Sequence, residues 1–274
     1  MGGIMKKTQS GLLAVVVIAV GVAALSTSSP AGEMDWGAYQ VEDRRSGYTY
    51  AAAETRAIQD DDFANPAMIR VDSGEALWNK VDGEAGKSCA SCHGDAADSM
   101  RGVAASYPKF DGALGKLKNI EQQINYCRTE RMKAGEWKYE SSPLLSMTVY
   151  VRHQSRGMPI SVAIDGPAAP FFEKGKAFYN QRRGLLDMAC ANCHVGYPGV
   201  MIRANILSQG QSNGFPVYRL KWQKVGSTHR RFRGCNKQVR AQPYAYGSEE
   251  YVNLELFVAW RGRGLLVETP AIRN

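Results

Sequence analysis

The chain has 274 residues, 44% of them hydrophobic and 22% charged, a balance ordinary for a soluble globular protein and enough for one or two compact domains. Its formal charge of +8 is unevenly spread: from Met188 to Ser248 there is no Asp or Glu, while Arg203, Arg219, Lys221, Lys224, Arg230, Arg231, Arg233, Lys237 and Arg240 all lie there. Such a field gathers anions, and because these cations surround a cysteine instead of interleaving with a row of aromatics, nucleic acid is not the expected partner.

At the N-terminus Lys6 and Lys7 precede an uncharged apolar run from Gly11 to Leu25, followed by the small residues Ser26 and Ser29-Pro30-Ala31. Residues 1–31 read as a signal peptide cleaved at about 26–31, because fifteen apolar residues fall short of the ~20 that span a bilayer. The alternative is an uncleaved N-terminal anchor. Nothing later is apolar enough to cross a membrane, so the mature chain is expected in the periplasm, where cysteines are free to pair. Residues 32–71 form a polar N-terminal extension with a turn at Asn65-Pro66. It is read as an arm wrapping the domains or a partner, or as a solvated linker.

The rest is one module written twice. Ser73, a helix cap by pattern, precedes Glu75-Ala76-Leu77-Trp78 and then Cys89-Ala90-Ser91-Cys92-His93; Gly175 to Tyr179 precedes Cys190-Ala191-Asn192-Cys193-His194. Gly74 and Gly175 each stand fifteen residues before their motif, and Pro108 and Pro216 each stand nineteen before a third cysteine, Cys127 or Cys235. Two fixed spacings kept in both halves indicate an internal duplication. The expected fold is mostly α: two tandem cytochrome c-like domains of class I type, residues 72–163 and 164–274, with a linker over 164–170. Leu114, Leu117, Ile120, Ile124 and Cys127 recur at three- and four-residue steps, which predicts one amphipathic helix with Cys127 facing inward. Each half closes with another helix, from Pro143 with Ser142 as cap and from Glu249.

Cys-x-x-Cys-His is the attachment motif of c-type haem, whose vinyl groups take the two thiols while the histidine ligates iron. Zinc modules space their pairs far more closely, and a thioredoxin-like pair needs no histidine. Two covalent haem c groups are therefore expected, on Cys89 and Cys92 with His93, and on Cys190 and Cys193 with His194. For the second iron no methionine follows Met201, only seven residues past His194, which leaves His229 and Cys235 as strong distal ligands. For the first iron Met158, in Arg156-Gly157-Met158-Pro159, His153 and Cys127 stay open, and the duplication favours cysteine in both places. A Cys127–Cys235 disulfide is the competing structural role, disfavoured because each cysteine points into its own module. Cys235 has five Arg or Lys within five positions either way, a setting that holds a thiol as thiolate. Arg231, one helical turn earlier, is placed to bind an oxyanion bidentately. Thiolate, oxyanion pocket and redox iron together point to oxidative sulfur chemistry.

Three stretches carry a resemblance: Arg231-Phe232-Arg233-Gly234-Cys235-Asn236-Lys237-Gln238-Val239-Arg240 with Tyr251-Val252-Asn253-Leu254-Glu255-Leu256 and Trp260-Arg261-Gly262; Ile120 to Arg128; and Asp61-Asp62-Phe63-Ala64-Asn65-Pro66. With these the chain resembles the SoxA family, dihaem cytochrome subunits of SoxAX thiosulfate-oxidising complexes. The resemblance implies L-cysteine S-thiosulfotransferase activity. Thiosulfate would be joined oxidatively to a cysteine of the carrier SoxYZ, and two electrons would pass to SoxX, a monohaem cytochrome c bound as a heterodimer. It also implies Cys127 as distal ligand of the first haem, Cys235 as distal ligand of the second and catalytic persulfide, and Arg231 as substrate-binding residue. The rival functions are a non-catalytic dihaem electron-transfer cytochrome and a dihaem peroxidase, the latter at odds with two strong distal ligands.

Overall fold

Two crossed pairs of helices carry the architecture. The computed structural model describes residues 1–3, 36–203 and 205–274, and the chain divides into two units, Met1–Asp35 and Trp36–Asn274. The expected signal segment lies outside the described residues except for positions 1–3, as do residues 32–35 of the expected extension. In chain order the α-helices are α1 (Ala53–Asp60), α2 (Met68–Asn79), α3 (Cys89–His93), α4 (Ala96–Ser99), α5 (Ile120–Tyr126), α6 (Ser142–His153), α7 (Ala169–Asn180), α8 (Cys190–His194), α9 (Thr228–Gln238) and α10 (Glu249–Arg261).

Helix α2 packs on α6, and α7 packs on α10. A glycine sits at each crossing: a Cβ on Gly74 would overlap Ser146 and Tyr150, and one on Gly175 would overlap the Asn253 carbonyl. The fixed glycine of each half thus lets two helix backbones approach closely. A second pair recurs at the same interval, since a Cβ on Gly83 or Gly184 would strike the backbone at Met132 or Val239.

Four local readings change. Ser142 is the first residue of α6 and not its cap, a position that falls to Ser141. Ser73 lies within α2 and its hydroxyl donates to the Ile69 carbonyl, so it caps nothing. The helix expected from Leu114 begins only at Ile120, capped by Asn119, whose side chain accepts from the Gln122 amide. Residues 109–118 form a hairpin in which Asp111 Oδ1 accepts from the Ala113 and Leu114 amides and Gly115 takes φ +62°, so the chain turns and Leu114 is exposed. Cys127 opens a π-helical turn, Cys127–Met132. Residues from 36 on are no solvated linker: Ser46, Gln59 and Asn65 are buried, Gln59 Nε2 donates to Glu268 at 3.2 Å, and Asn65 Nδ2 donates to the Pro270 carbonyl at 3.0 Å.

The two halves exchange their hairpins. Leu117 and Phe110 of the first hairpin pack into the core formed by Phe172, Phe178, Tyr251 and Leu254. Val225 and Tyr218, from the hairpin of strands Val217–Arg219 and Lys224–Gly226, pack into the core of Val71, Trp78, Met147 and Tyr150.

Between the halves lies a buried polar cluster. His229 Nε2 is 3.0 Å from Glu255 Oε2, its Nδ1 accepts from the Gly247 amide at 3.0 Å, and Tyr139 stacks on its ring at 5.7 Å. Asn119 Nδ2 also donates to Glu255, at 3.1 Å. Burial opposes ionisation of Glu255, but His229, Asn119 and Arg152 outweigh it and hold its pKa below the ordinary range. Glu121 behaves oppositely: burial and the charge of Glu255 raise it from 4.5 to about 7. Between those two values the folded chain keeps a proton that the unfolded chain has released. The Glu121 contribution to stability is therefore full below about pH 4.5 and is lost as pH rises to about 7. Glu121→Gln should abolish this loss and be more stable than the parent at pH 8, with little difference at pH 4.5, as read by denaturant unfolding of the haem-loaded protein.

Candidate functional site

Each Cys-x-x-Cys-His motif forms one short helix, which presents its two thiols and its imidazole from a single turn. In the first, Ser88 and Ser91 cap α3 reciprocally, the Ser91 amide donating to Ser88 Oγ at 3.0 Å and the Ser88 amide to Ser91 Oγ at 3.1 Å. Trp78 lies 5.7 Å from the His93 ring and donates to the Gly94 carbonyl at 3.1 Å. In the second, Asn192 Oδ1 accepts from the Ala189 amide at 2.7 Å and fixes the start of α8.

The His194 ring is gripped from one side. Its Nδ1 lies 2.8 Å from the Ser208 carbonyl, an acceptor that keeps the proton on Nδ1 and leaves the Nε2 lone pair free. Gly210 packs flat against the ring at φ +75°, where a Cβ would come within 2.8 Å of it, so no larger residue fits. Neither Ser208 nor Gly210 stands out in the sequence, because their role exists only once the loop folds back.

Cys235, on α9, lies close enough to His194 for the two to act on each other electrostatically. Burial alone would push the Cys235 thiol up. Arg231, His194 and Arg219 overcome this and bring it from 9.0 down to about 6, which favours the thiolate of a free thiol here at neutral pH. The motif cysteines move the other way, Cys190 pushed up to about 12 by burial and by Cys235, and Cys193 raised by the same two causes. Two attachment thiols, a free imidazole lone pair and an opposing thiolate are the donor set of a six-coordinate haem c. Among the described residues no three His, Cys, Asp or Glu gather as a site for a bare metal ion. Met201 is exposed on a short hairpin, and His229 is committed to Glu255, so His229 is withdrawn as a candidate ligand.

Around the first motif, burial and then Cys127 push Cys89 up to about 11, which places Cys127 beside the attachment thiols. Gln123 Nε2 donates to Cys127 Sγ at 3.4 Å. Of the other candidates, Met158 lies against Gly102, and His153 Nδ1 is 3.2 Å from the Thr269 carbonyl. No disulfide joins Cys127 to Cys235. The sites differ in charge. Cys127 meets a neutral amide where Cys235 meets Arg231.

Comparison with known proteins agrees with this geometry. Residues 73–160 match the family model described as SoxA/TsdA, cytochrome c domain, a domain that carries covalently bound haem c. The chain is 50% identical to the L-cysteine S-thiosulfotransferase subunit SoxA of Rhodovulum sulfidophilum, over 84% of this chain and 80% of that one. It is 48% identical to the protein of the same name from Pseudaminobacter salicylatoxidans over the same shares. Among solved structures it is similar to SoxXA from P. pantotrophus, with a TM-score of 0.82 and 46% identity, covering 84% of this chain and 87% of that one.

Proposed function

From the premise that this chain belongs to the SoxA family, we propose that it is the thiosulfate-coupling subunit of a SoxAX-type complex, with Cys235 as its working sulfur. The single observation that carries the reading is the placing of Cys235 on α9 beside His194 and the cations Arg231 and Arg219, in a stretch without acids. The protein carries two haem c groups, through Cys89, Cys92, His93 and Cys127 and through Cys190, Cys193, His194 and Cys235, and it arose by tandem duplication. Haem c supplies one-electron redox capacity when bound, and a thiolate ligand favours the ferric state at low potential.

The residues then act in order. Arg231 seats the sulfonate end of thiosulfate and leaves its outer sulfur facing Cys235. That sulfur bonds to the terminal sulfur of a Cys235 persulfide, and the new bond forms with loss of two electrons. The electrons go to a monohaem cytochrome of the SoxX type, the expected heterodimer partner. A cysteine thiolate of the carrier SoxYZ then attacks the thiosulfate sulfur, takes the thiosulfate group as its disulfide-linked sulfonate, and restores the Cys235 persulfide. Two thiolates in sequence, one held at low pKa and one arriving, make this ordinary sulfur exchange. Export through residues 1–31 places the reaction in the periplasm.

Peptide mass spectrometry of the segment containing Cys235, from gently purified protein, tests the reading. The expected result is one extra sulfur on Cys235. An unmodified thiol counts against the persulfide, and a crosslink to Cys127 would overturn the ligand assignment.

A further inference from the structure

We propose that Arg219 is a second anion-binding residue of the Cys235 site, so that the substrate's sulfonate is held between two guanidinium groups, Arg219 and Arg231, and the site selects doubly charged oxyanions. The proposal rests on the reading of Cys235 as the working sulfur and extends it to the question of what binds the substrate's charge.

Arg219 is 7% exposed, and among the described residues its buried Nη1 has no hydrogen-bond partner. A guanidinium taken out of water with an unpaired donor is costly unless a ligand supplies the acceptor. Its other end is fixed: Nε donates to the Asn274 carbonyl at 2.6 Å, and the Trp222 ring lies 5.0 Å from Cζ. The backbone is fixed as well. Strand Val217–Arg219 is bonded on one side to Lys224–Gly226, which leads into α9, and on the other to the parallel strand Ala271–Arg273. No carboxylate is among the charges that act on it. The charges of Arg231 and Cys235 both act on Arg219, the first lowering and the second raising its pKa, after burial, which brings it to about 10. Arg219 and Arg231 therefore both lie close enough to Cys235 to act on its charge.

The first half supplies an internal control. Asp111 stands three residues after Pro108 as Arg219 stands three after Pro216, and Gln123 stands four before Cys127 as Arg231 stands four before Cys235. Asp111 is paired with Lys118 at 2.5 Å, and Gln123 is neutral. Both steps that carry guanidinium groups at Cys235 lack them at Cys127. An arginine serving haem binding alone would be needed in both halves, whereas one serving a substrate anion is needed only where substrate reacts. With one charge of the pair balancing the Cys235 thiolate or persulfide, a single arginine would leave a dianion unneutralised. Two arginines bring the resting site to a net positive charge.

The test is steady-state thiosulfate oxidation by the haem-loaded complex carrying Arg219→Gln and, separately, Arg219→Lys. Arg219→Gln should raise KM for thiosulfate about 10-fold or more, the size of a charged hydrogen bond lost, with a smaller change in kcat. Arg219→Lys, which keeps the charge and loses the fork, should fall between the variant and the parent. Haem absorbance and midpoint potentials should stay those of the parent. An unchanged KM in Arg219→Gln overturns the proposal, and so does a shifted midpoint potential with unchanged KM, which would make Arg219 a haem-binding residue. Should Arg219→Gln fail to load haem, the Arg219→Lys KM decides alone, and a parental value overturns the proposal. Failure of the underlying reading looks different, because thiosulfate turnover would then survive loss of Cys235.

Discussion

Replacing Cys235 by serine is expected to cut thiosulfate-dependent turnover by about a thousand-fold or more, the scale at which a nucleophile's loss is felt. The hydroxyl of serine keeps the shape of the site, but it is neither ionised at neutral pH nor able to carry a second sulfur. In the parent, Arg231, His194 and Arg219 overcome burial and hold the thiolate, and all three remain in the variant. Attachment at Cys190 and Cys193 should persist, because α8 and its Asn192 cap are untouched. The two measurements to make together are thiosulfate-dependent reduction of an added cytochrome c and total covalent haem. Turnover within about tenfold of the parent, at full haem content, would leave only the electron-carrier function and sink the assignment of Cys235.

The second large effect concerns folding. Arg152→Ala is expected to destabilise the protein by about 2–5 kcal/mol, because it empties a buried site and removes a cation whose charge helps to hold Glu255 ionised. Arg152 is buried on α6, and the charges of Glu255 on α10 and Glu121 on α5 both act on it. Glu255 keeps His229 and Asn119 as partners in the variant, so its charge is less well supported but not left alone. Arg152→Ala with Glu255→Gln should recover part of the loss, since no charge at that position then needs balancing. Chemical denaturation of the single and double variants, with haem loaded, measures both. A cost under about 1 kcal/mol for the single variant would mean that the cluster is solvated on opening and contributes little.

The chemistry of this chain was legible where covalent or metal-binding demands are contiguous. Cys89-Ala90-Ser91-Cys92-His93 and its twin must lie on one turn to meet a single porphyrin, so the motif survives any change around it. Helix α10 was equally open to reading from Glu249 and Glu250 in its first turn, and the structure adds Ser248 as its cap. The hairpin of residues 109–118 was not, because Leu114, Leu117 and Ile120 have helical spacing by accident, and the turn at Asp111 to Gly115 overrides it. His229 stood beside Cys235 as one of two candidate iron ligands left by elimination. Its actual partner, Glu255, stands on the next helix, and no local pattern announces that pairing. Arg219 hid among nine cations of one stretch, and the register that singles it out matches it to an aspartate, Asp111, so a search for repeated residues passes over it.

Residues 164–170, Ile-Asp-Gly-Pro-Ala-Ala-Pro, have the composition of a flexible joint, and two halves so joined would ordinarily swing. The exchange of hairpins forbids it. With Leu117 and Phe110 lodged in one core and Val225 and Tyr218 in the other, rotation about the joint would pull apolar side chains out of both cores at once. The joint is a seam and not a hinge. The two Cys-x-x-Cys-His motifs on either side of it are thereby held at one separation, so electron exchange between haems bound there would be insensitive to solvent viscosity or domain motion.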